Sequence, residues 1–281
     1  MLHDPVLLTE TLELLAPKTG EVFLDGTLGL AGHAQAILER IGPSGKLIGL
    51  DLDPRNLKLA RENLRKFSNL ETYHSNFCEL QRFAPANSLD GILLDLGLSS
   101  PHLDDAARGF SFRKSGPLDL RFNSEQSLTA AEILNKFPES EIAEILRNFG
   151  EIGISKKIAR RVVETRRRKK FEKTEDLVAI IDAKSLLPQV FQALRIAVND
   201  ELNALETALN SAVGVLKTGG RIAIISFHSL EDRIVKNFFR DQKKLGNFEI
   251  LTKKPITPSL AEIAENPRSR SGKLRGAGKI L

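Results

Sequence analysis

The 281-residue chain contains one cysteine, Cys78, and no tryptophan. A single thiol excludes an internal disulfide and any cysteine-based zinc site. No apolar run reaches the length of a transmembrane helix, and the start of the chain, Met1 to Pro5, lacks the basic residues and cleavage site of a signal peptide. These absences predict a cytosolic protein without a metal ion.

The positive charge is concentrated in one segment. The whole chain has a formal charge of +5, whereas residues 156–173 alone hold ten basic and two acidic residues, a local charge of +8. Arg166, Arg167 and Arg168 lie at its centre. This density predicts an interaction with a phosphate backbone. The alternative is a solvated helix face followed by a basic loop. A second, looser basic group, Arg268 to Lys279, fits either interpretation.

Apolar runs and helical patterns alternate along the first hundred residues, which is typical of a parallel sheet. The predicted strands are Val22 to Leu24, Lys46 to Leu50, Glu71 to His74, Leu89 to Leu94, Gly220 to Phe227 and Asn247 to Thr252. Helices are predicted over Arg55 to Phe67 and over Asn199 to Leu216, and Gly219-Gly220 is expected to end the second helix. The tail is expected to add a last edge strand. More than a hundred residues separate the fourth and fifth strands, so a helical module is inserted there. We therefore predict an α/β domain over 1–103 and 198–281 and an inserted domain over 104–197.

The segment from Val22 to His33 carries the most specific signal, because an apolar strand runs into Asp25, then a glycine turn, then a helix. Such turns hold nucleotide-like ligands in α/β folds. A carboxylate at the turn repels a pyrophosphate but suits an ammonium group, which S-adenosylmethionine carries. Thr27 stands where a dinucleotide fingerprint has its first glycine, although Gly29 and Gly32 fill the other two places. Both features disfavour NAD.

Asp51 ends the second predicted strand, in the position that faces a ribose in a doubly wound sheet. We expect it to accept hydrogen bonds from ribose hydroxyls, which suits either cofactor. Asp53 and Pro54 predict an ordinary helix start, with Asp53 as the cap.

The fourth strand ends at Asp95 and is followed by Ser99 and Ser100. Ligands of open α/β sheets react at this edge. Oxygens of these three residues are suited to hold the N–H groups of an amine while its lone pair attacks a methyl group. The alternative is a glycine turn with hydroxyl caps. Methylation of a pyrimidine carbon needs a cysteine at this place, and its absence leaves an exocyclic nitrogen or an oxygen as the target.

Two more segments have structural and functional interpretations. Phe110 and Phe112 flank Ser111 beside an arginine and are candidates for stacking on an extruded base, although half-buried core packing is equally typical of such a pair. Ser229 and Asp232 predict a helix capping box, and His228 is expected to be satisfied structurally.

Taken in order along the chain, several segments together resemble the bacterial small-subunit ribosomal RNA cytosine-N4 methyltransferase family, called RsmH or MraW. The matching residues are His3-x-Pro5-Val6-Leu7-Leu8-x-Glu10, Asp25-Gly26-Thr27-x-Gly29-x-x-Gly32-His33, Asp51-x-Asp53-Pro54, Gly91 to Pro101, Leu103-Asp104-Asp105, Arg108 to Phe112, Gly116 to Asp119, Phe191 to Ile196, Ser226 to Arg233 and Ala264 to Ser271.

The resemblance implies a class I S-adenosylmethionine-dependent methyltransferase sheet with a helical insert, acting on a cytidine in the decoding region of 16S ribosomal RNA. It also implies cofactor contacts at Ala31, Gly32, His33, Asp51, Phe77, Asp95 and His102. The family usually has glycine in place of Ala31 and glutamine in place of His102. It also carries His-Pro-Ala-Thr-Arg where this chain has Ser185 to Val190.

The leading hypothesis is therefore an S-adenosylmethionine-dependent methyltransferase whose partner is the small ribosomal subunit. No association with a membrane is expected. The alternative is a ribosome-assembly factor that retains the fold and binds RNA but does not catalyse methyl transfer. A nicotinamide dehydrogenase is the third hypothesis, disfavoured by Asp25 and Thr27. The oligomeric state stays open, with a homodimer as one option.

Overall fold

The computed structural model describes residues 5–280 and divides the chain into two compact units. One unit consists of the residues up to Gly97 and from Leu202 onward, and the other is Leu98–Glu201. The second unit thus begins six residues before the predicted insert and ends four residues after it. His3, the first residue of the family-like segments, lies outside the described residues.

Seven strands form the sheet of the first unit, in the order β3-β2-β1-β4-β5-β7-β6. They are β1 Val22–Asp25, β2 Lys46–Asp51, β3 Leu70–His74, β4 Leu89–Asp95, β5 Leu216–Ser226, β6 Phe248–Ile250 and β7 Lys273–Lys279. The first five are parallel, whereas β7 is antiparallel to both β5 and β6.

Twelve α-helices lie within the described residues. They are α1 Leu8–Leu15, α2 Gly32–Ile41, α3 Pro54–Asn63, α4 Ser100–Asp104, α5 Ala130–Lys136, α6 Glu139–Gly150, α7 Ser155–Arg166, α8 Thr174–Ile180, α9 Leu187–Asn199, α10 Glu201–Val215, α11 Ser229–Lys244 and α12 Leu260–Glu265. None of the helices in this part of the chain is both long and apolar enough to cross a membrane.

Alternate strand residues serve opposite faces of the sheet, as the two-residue period of a strand requires. Phe23 packs in a cluster with α1 and α2 residues, whereas the next residue, Leu24, packs in a cluster with α10 and α11 residues. Both side chains are buried. Because helices cover both faces, the strands read as continuous apolar runs, which is how they were recognised in the sequence.

Three local predictions were wrong. The strand β5 begins at Leu216, so Gly219-Gly220 lie within it and do not end the preceding helix. The tail strand β7 pairs on both sides, so the edge strand is β6. The cap of α11 is His228, whose Nδ1 accepts from the Glu231 N–H (3.4 Å). The predicted box on Ser229 is therefore shifted by one residue.

The unit Leu98–Glu201 has a separate apolar core, built by α5 to α9 around side chains such as Ile142, Leu146 and Leu194. The α9 helix was missed in the sequence, because no helix was assigned between residues 181 and 199. Asn199 closes this unit, since its Oδ1 accepts from the Phe122 N–H (2.8 Å) and its Nδ2 donates to the Leu120 carbonyl (2.8 Å).

Candidate active site

Three predicted site residues, Asp25, Asp51 and Asp95, are each the last residue of a parallel strand. Their strands β1, β2 and β4 are neighbours in the sheet, with β1 in the middle. Carboxyl ends of parallel strands meet at one edge, where ligands of α/β sheets bind. The structure therefore brings these three carboxyl groups to the same edge, which we call the acidic edge.

The turn after β1 links two of these acids through Thr27. The Thr27 N–H donates to Asp25 Oδ1 (3.0 Å), and the Thr27 hydroxyl lies 3.5 Å from the same atom. The Asp95 N–H donates to the Thr27 hydroxyl oxygen (2.6 Å). Thr27 thus fixes the ends of β1 and β4 together, a role that its local sequence pattern does not indicate.

Asp51 is held by backbone groups on both of its oxygens. Its Oδ2 accepts from the Gly29 N–H (2.7 Å), and its Oδ1 accepts from the Asp53 N–H (2.8 Å). Gly29 has a φ of 52°, a conformation that favours glycine. Asn56 Nδ2 approaches Asp51 Oδ2 at 3.2 Å. The carboxylate is thus fixed in place, and the prediction that Asp53 caps the next helix is confirmed by its bond from the Arg55 N–H (2.9 Å).

Burial of the acidic edge makes ionisation of two of its carboxyl groups unfavourable. Asp25 is 1% exposed, and its burial, with the nearby charge of Asp51, raises the pKa of its carboxyl group to about 7 despite the bonds from Thr27. Loss of hydration, with the charges of Asp25 and Glu231, also raises the pKa of Asp95 well above its usual range. Among residues 5–280, no lysine or arginine forms an ion pair with Asp25 or Asp95.

Asp95 combines an accessible part with a buried one. Its side chain is 25% exposed, so a ligand can reach the carboxyl group. Its Oδ1 is buried and has no hydrogen-bond partner among the described residues. Unpaired carboxylates in a poorly hydrated place favour a cation, which offsets their loss of hydration. The donor set therefore fits a small ligand with positive charge, such as a sulfonium or an ammonium group.

The start of α2 holds three further predicted contacts, Ala31, Gly32 and His33. Ala31 caps the helix with a φ of 70°. A Cβ on Gly32 would lie 3.0 Å from Pro5 Cγ, so this glycine permits the N-terminal segment to pack closely. His33 is buried, and its Nε2 lies 3.1 Å from the Val6 carbonyl oxygen.

Phe77 lies beside the same turn. It begins a 3-10 helix, Phe77–Arg82, that Asn76 caps through a bond from the Cys78 N–H (3.0 Å). A Cβ on Gly26 would lie only 2.9 Å from Phe77 Cβ. The ring is half-buried, which leaves part of it accessible next to the glycine turn.

The segment after β4 opens the second unit, and Ser99 and His102 form a pair there. His102 Nδ1 accepts from the Ser99 N–H (3.2 Å) and lies 3.0 Å from the Ser99 hydroxyl oxygen. A nitrogen that accepts from an N–H carries a lone pair, so the hydroxyl donates to it too. Ser99 is thus the cap of α4, as the alternative interpretation expected, and its oxygen still offers acceptor capacity. Ser100 is the first residue of that helix.

The aromatic pair is divided by burial. Phe110 is 5% exposed, and its ring lies 5.1 Å from the His102 ring and 5.6 Å from the Phe122 ring. It belongs to the core of the helical unit. Phe112 is half-buried and contacts Phe191 edge-on at 5.7 Å. Only Phe112 therefore retains a ring surface suited to stacking on a base.

The three central arginines of the basic segment also differ. Arg166 Nη1 donates to the carbonyl oxygens of Leu134 (2.9 Å) and Phe137 (2.7 Å), so it satisfies the carboxyl end of α5. Arg167 and Arg168 are exposed. The guanidinium of Arg166 therefore has a structural role, and the other two are available to a phosphate.

Two cations of the looser basic group in the tail, Arg275 and Lys279, have structural partners. Arg275 pairs with Asp232 at 2.6 Å, and Lys279 donates from a buried position to Asn87 Oδ1 (2.8 Å) and to the Leu216 carbonyl (2.7 Å). Burial lowers the pKa of Lys279. These two cations hold β7 in the sheet.

Comparison with known proteins gives a consistent result. The chain is 47% identical to ribosomal RNA small subunit methyltransferase H from Heliobacterium mobile, over 99% of both chains. It is 45% identical to the protein of the same name from Dictyoglomus thermophilum, over 98% of this chain and 95% of that one. A Clostridium thermocellum structure, solved as a candidate rRNA methylase, shares the fold with a TM-score of 0.51 at 11% identity, covering 100% of this chain and 99% of that chain.

The family model described as the MraW methylase family matches residues 1–280. This match spans both units, including the acidic edge and the helical insert. The chain belongs to the MraW methylase family.

Proposed function

We propose that the protein transfers a methyl group from S-adenosylmethionine to the exocyclic N4 of a cytidine in the decoding region of 16S ribosomal RNA. Membership of a methylase family makes the chain a methyltransferase. The observation that carries the choice of cofactor is the acidic edge, where three carboxyl groups end adjacent strands and no lysine or arginine of residues 5–280 pairs with Asp25 or Asp95. The names of the relatives support ribosomal RNA of the small subunit as the substrate.

Bound S-adenosylmethionine supplies an electrophilic methyl group on a positively charged sulfur. The chain contributes binding groups of matching polarity. Asp51 is assigned to the ribose hydroxyls, because its carboxylate is fixed at the end of β2 by the Gly29 and Asp53 N–H groups. Asp25 lies at the turn and suits the ammonium group. Ala31, Gly32, His33 and Phe77 surround the same turn and complete the cofactor contacts, together with His102 as the family resemblance implies.

The acceptor amine needs orientation more than acid or base strength. Asp95, Ser99 and Ser100 are the residues that we assign to its N–H groups. In Ser99 the hydroxyl proton is directed to His102 Nδ1, so the oxygen presents lone pairs rather than a proton. An amine held by such acceptors keeps its own lone pair free for attack on the methyl group.

The helical unit Leu98–Glu201 is assigned to substrate recognition. Its exposed Arg167 and Arg168 suit phosphate groups, and Phe112 offers a partly accessible ring for a base. The substrate is the small ribosomal subunit or its RNA, which places the protein in the cytoplasm. Sedimentation of the purified protein would distinguish a monomer from a homodimer.

The test of the proposal is mass analysis of ribosomal RNA nucleosides from a strain that lacks the gene. We expect loss of one N4-methylated cytidine, its restoration by the wild-type gene, and no restoration by Asp95→Ala. Purified Asp95→Ala should lose at least about a hundredfold in turnover, the cost of a misplaced reacting group, while its binding of S-adenosylmethionine should be less affected. Unchanged nucleosides would contradict the proposal. Restoration by Asp95→Ala would instead support the non-catalytic assembly role, which no observation favours.

A further inference from the structure

We propose that His33 and Asp95 form a proton-storing pair that distinguishes the sulfonium methyl donor from the neutral thioether product. The free protein holds a proton on the Asp95 carboxyl group, against His33. Binding of the cationic donor displaces that proton, whereas binding of S-adenosylhomocysteine leaves it in place. The inference rests on the proposed function, because it takes S-adenosylmethionine as the donor.

The first step is the tautomer of His33. Its Nε2 lies 3.1 Å from the Val6 carbonyl oxygen, which can only accept a hydrogen bond. Nε2 therefore carries the proton. Burial lowers the pKa of His33 to about 4, so the ring is neutral at physiological pH. A neutral ring with a proton on Nε2 has a lone pair on Nδ1.

The lone pair on His33 Nδ1 faces the carboxyl group of Asp95. His33 Nδ1 lies 3.6 Å from Asp95 Oδ2. An ionised Asp95 would place two acceptors opposite each other, whereas a protonated Asp95 would offer a donor to Nδ1. The buried Oδ1 has no donor among the described residues either, so ionisation would leave its charge unsatisfied. Both contacts favour the neutral acid.

The third step is the charge around the pair. The groups that act on Asp95 are Asp25 at the end of β1, Glu231 on α11 and neutral His33 on α2, while Asp51 acts on Asp25. These groups are acidic or neutral, and burial together with the charges of Asp25 and Glu231 raises the pKa of Asp95. No lysine or arginine in the described part of the chain pairs with Asp95, so a cationic ligand would be the group that favours its ionised form.

The fourth step follows from the chemistry of methyl transfer. Asp95 holds the acceptor amine in the proposed function, and the methyl group must pass directly from sulfur to that amine. The sulfonium charge must therefore lie close to Asp95 and favours its carboxylate form. The proton leaves to solvent, and no other bond changes. The thioether has no charge, so nothing displaces the proton. The ammonium group is common to both ligands, so its effect on Asp25 cancels in a comparison.

The experiment is calorimetry of the purified full-length protein near pH 7, in buffers of different ionisation enthalpy, with S-adenosylmethionine and S-adenosylhomocysteine as the two ligands. We expect the donor to release more protons than the product, by up to about one proton per protein molecule. Between the pKa of Asp95 in the free protein and its lower pKa in the donor complex, the affinity for the donor relative to the product should rise with pH, by up to about tenfold per pH unit. The substitution Asp95→Asn mimics the protonated acid, so it should remove both differences.

Two substitutions of His33 separate its two nitrogens. His33→Asn places an amide oxygen near the position of Nδ1, so it should keep the extra proton released by the donor. His33→Gln places an amide nitrogen near the position of Nε2 and can keep the bond to Val6, but it loses the acceptor that faces Asp95. We expect its extra proton release to fall. Thermal unfolding checks that each variant is folded.

The outcomes are distinguishable from failure of the proposed function. If neither ligand binds, the proposed function fails. If both bind and release equal numbers of protons, only the proton-storing pair is overturned. The pair is also overturned if His33→Gln behaves as the wild type while His33→Asn loses the difference, because the bond to Val6 would then be the feature that matters.

Discussion

The acidic edge and the basic segment of residues 156–173 carry opposite charge in opposite surroundings. Asp25 and Asp51 are buried and held by backbone N–H groups, whereas Arg167 and Arg168 project into solvent. Charges in poorly hydrated places interact strongly and at short range, while exposed charges are screened within about 10 Å at ordinary salt. The first region is therefore suited to one small cation of fixed geometry, and the second to an extended polyanion.

The largest expected effect is on the free energy of unfolding, because the buried carboxyl group of Asp25 suits ligand binding but lowers the stability of the ligand-free protein. The pKa of Asp25 is raised to about 7 in the folded state, from 3.8. The native state therefore binds more protons than the unfolded state between these pH values, so the contribution of Asp25 to stability falls as pH rises through that window. We expect Asp25→Asn to stabilise the ligand-free protein by up to about 4 kcal/mol above pH 7. Urea unfolding measures the gain.

The gain from Asp25→Asn should disappear near pH 4 and should accompany weaker binding of S-adenosylmethionine. Asp241→Asn is the matched control, because Asp241 is exposed and its neighbours Arg240 and Lys244 lower its pKa. It should not reproduce the gain. Equal stabilisation by Asp25→Asn at pH 4 and pH 8 would assign the effect to packing and not to ionisation.

The second prediction tests whether the fixed geometry of the acidic edge matters to the cofactor. We expect Asp51→Ala to weaken S-adenosylmethionine binding by at least roughly 1.5 to 3 kcal/mol, the range for hydrogen bonds to a charged group. Calorimetry measures it. Asp53→Ala removes a carboxylate two residues away that caps α3, so it should lower stability and leave affinity unchanged. Unchanged affinity in folded Asp51→Ala would remove the ribose assignment.

The third prediction addresses the exposed region. We expect Arg167→Glu with Arg168→Glu to weaken binding of small-subunit RNA by about tenfold and to flatten its salt dependence by up to about 0.7 to 0.9 per lost phosphate contact. Affinity for S-adenosylmethionine should not change. Filter binding at several salt concentrations measures both quantities for the RNA.

The double reversal Lys243→Glu with Lys244→Glu is the control for charge alone, since it makes the same change on α11. It should leave the salt dependence steeper than the arginine variant does. Arg166→Met is expected to destabilise the helical unit, because two carbonyl oxygens at the end of α5 lose their donor. If both double reversals behave alike, the basic segment is only a solvated surface.

The two regions also differ in how far the sequence alone predicted them. The acids Asp25, Asp51 and Asp95 were recognisable because an apolar run followed by an acid is a local pattern, and parallel strands bring their ends together. The burial of Phe110 and the structural role of Arg166 were not recognisable. Both depend on contacts with residues distant in the chain, such as Phe122 and Leu134, which no local pattern encodes.

The same limit explains the smaller misses. Thr27 joins β1 and β4 through a bond to a residue 68 positions away. The tail strand β7 lies inside the sheet because Arg275 and Lys279 find partners on other elements. His228 rather than Ser229 caps α11, although both neighbours carry suitable side chains. Local propensity identified a helix start there, and tertiary contacts selected the residue.

The smallest expected effect concerns the backbone at Ala31, which caps α2 next to the acidic edge. Ala31 has a φ of 70°, a left-handed conformation that costs an L-residue about 1 to 2 kcal/mol. Ala31→Gly removes this strain, but the more flexible unfolded chain offsets roughly 0.4 to 1 kcal/mol of the gain. We therefore expect a net stabilisation below about 1 kcal/mol, measured by urea unfolding. Ala36→Gly, inside the same helix α2, should instead destabilise by about 1 kcal/mol. Opposite signs at two alanines of one segment would show that the turn is built around a strained backbone, whereas destabilisation by both variants would mean that the Ala31 side chain contributes more through packing than its backbone costs.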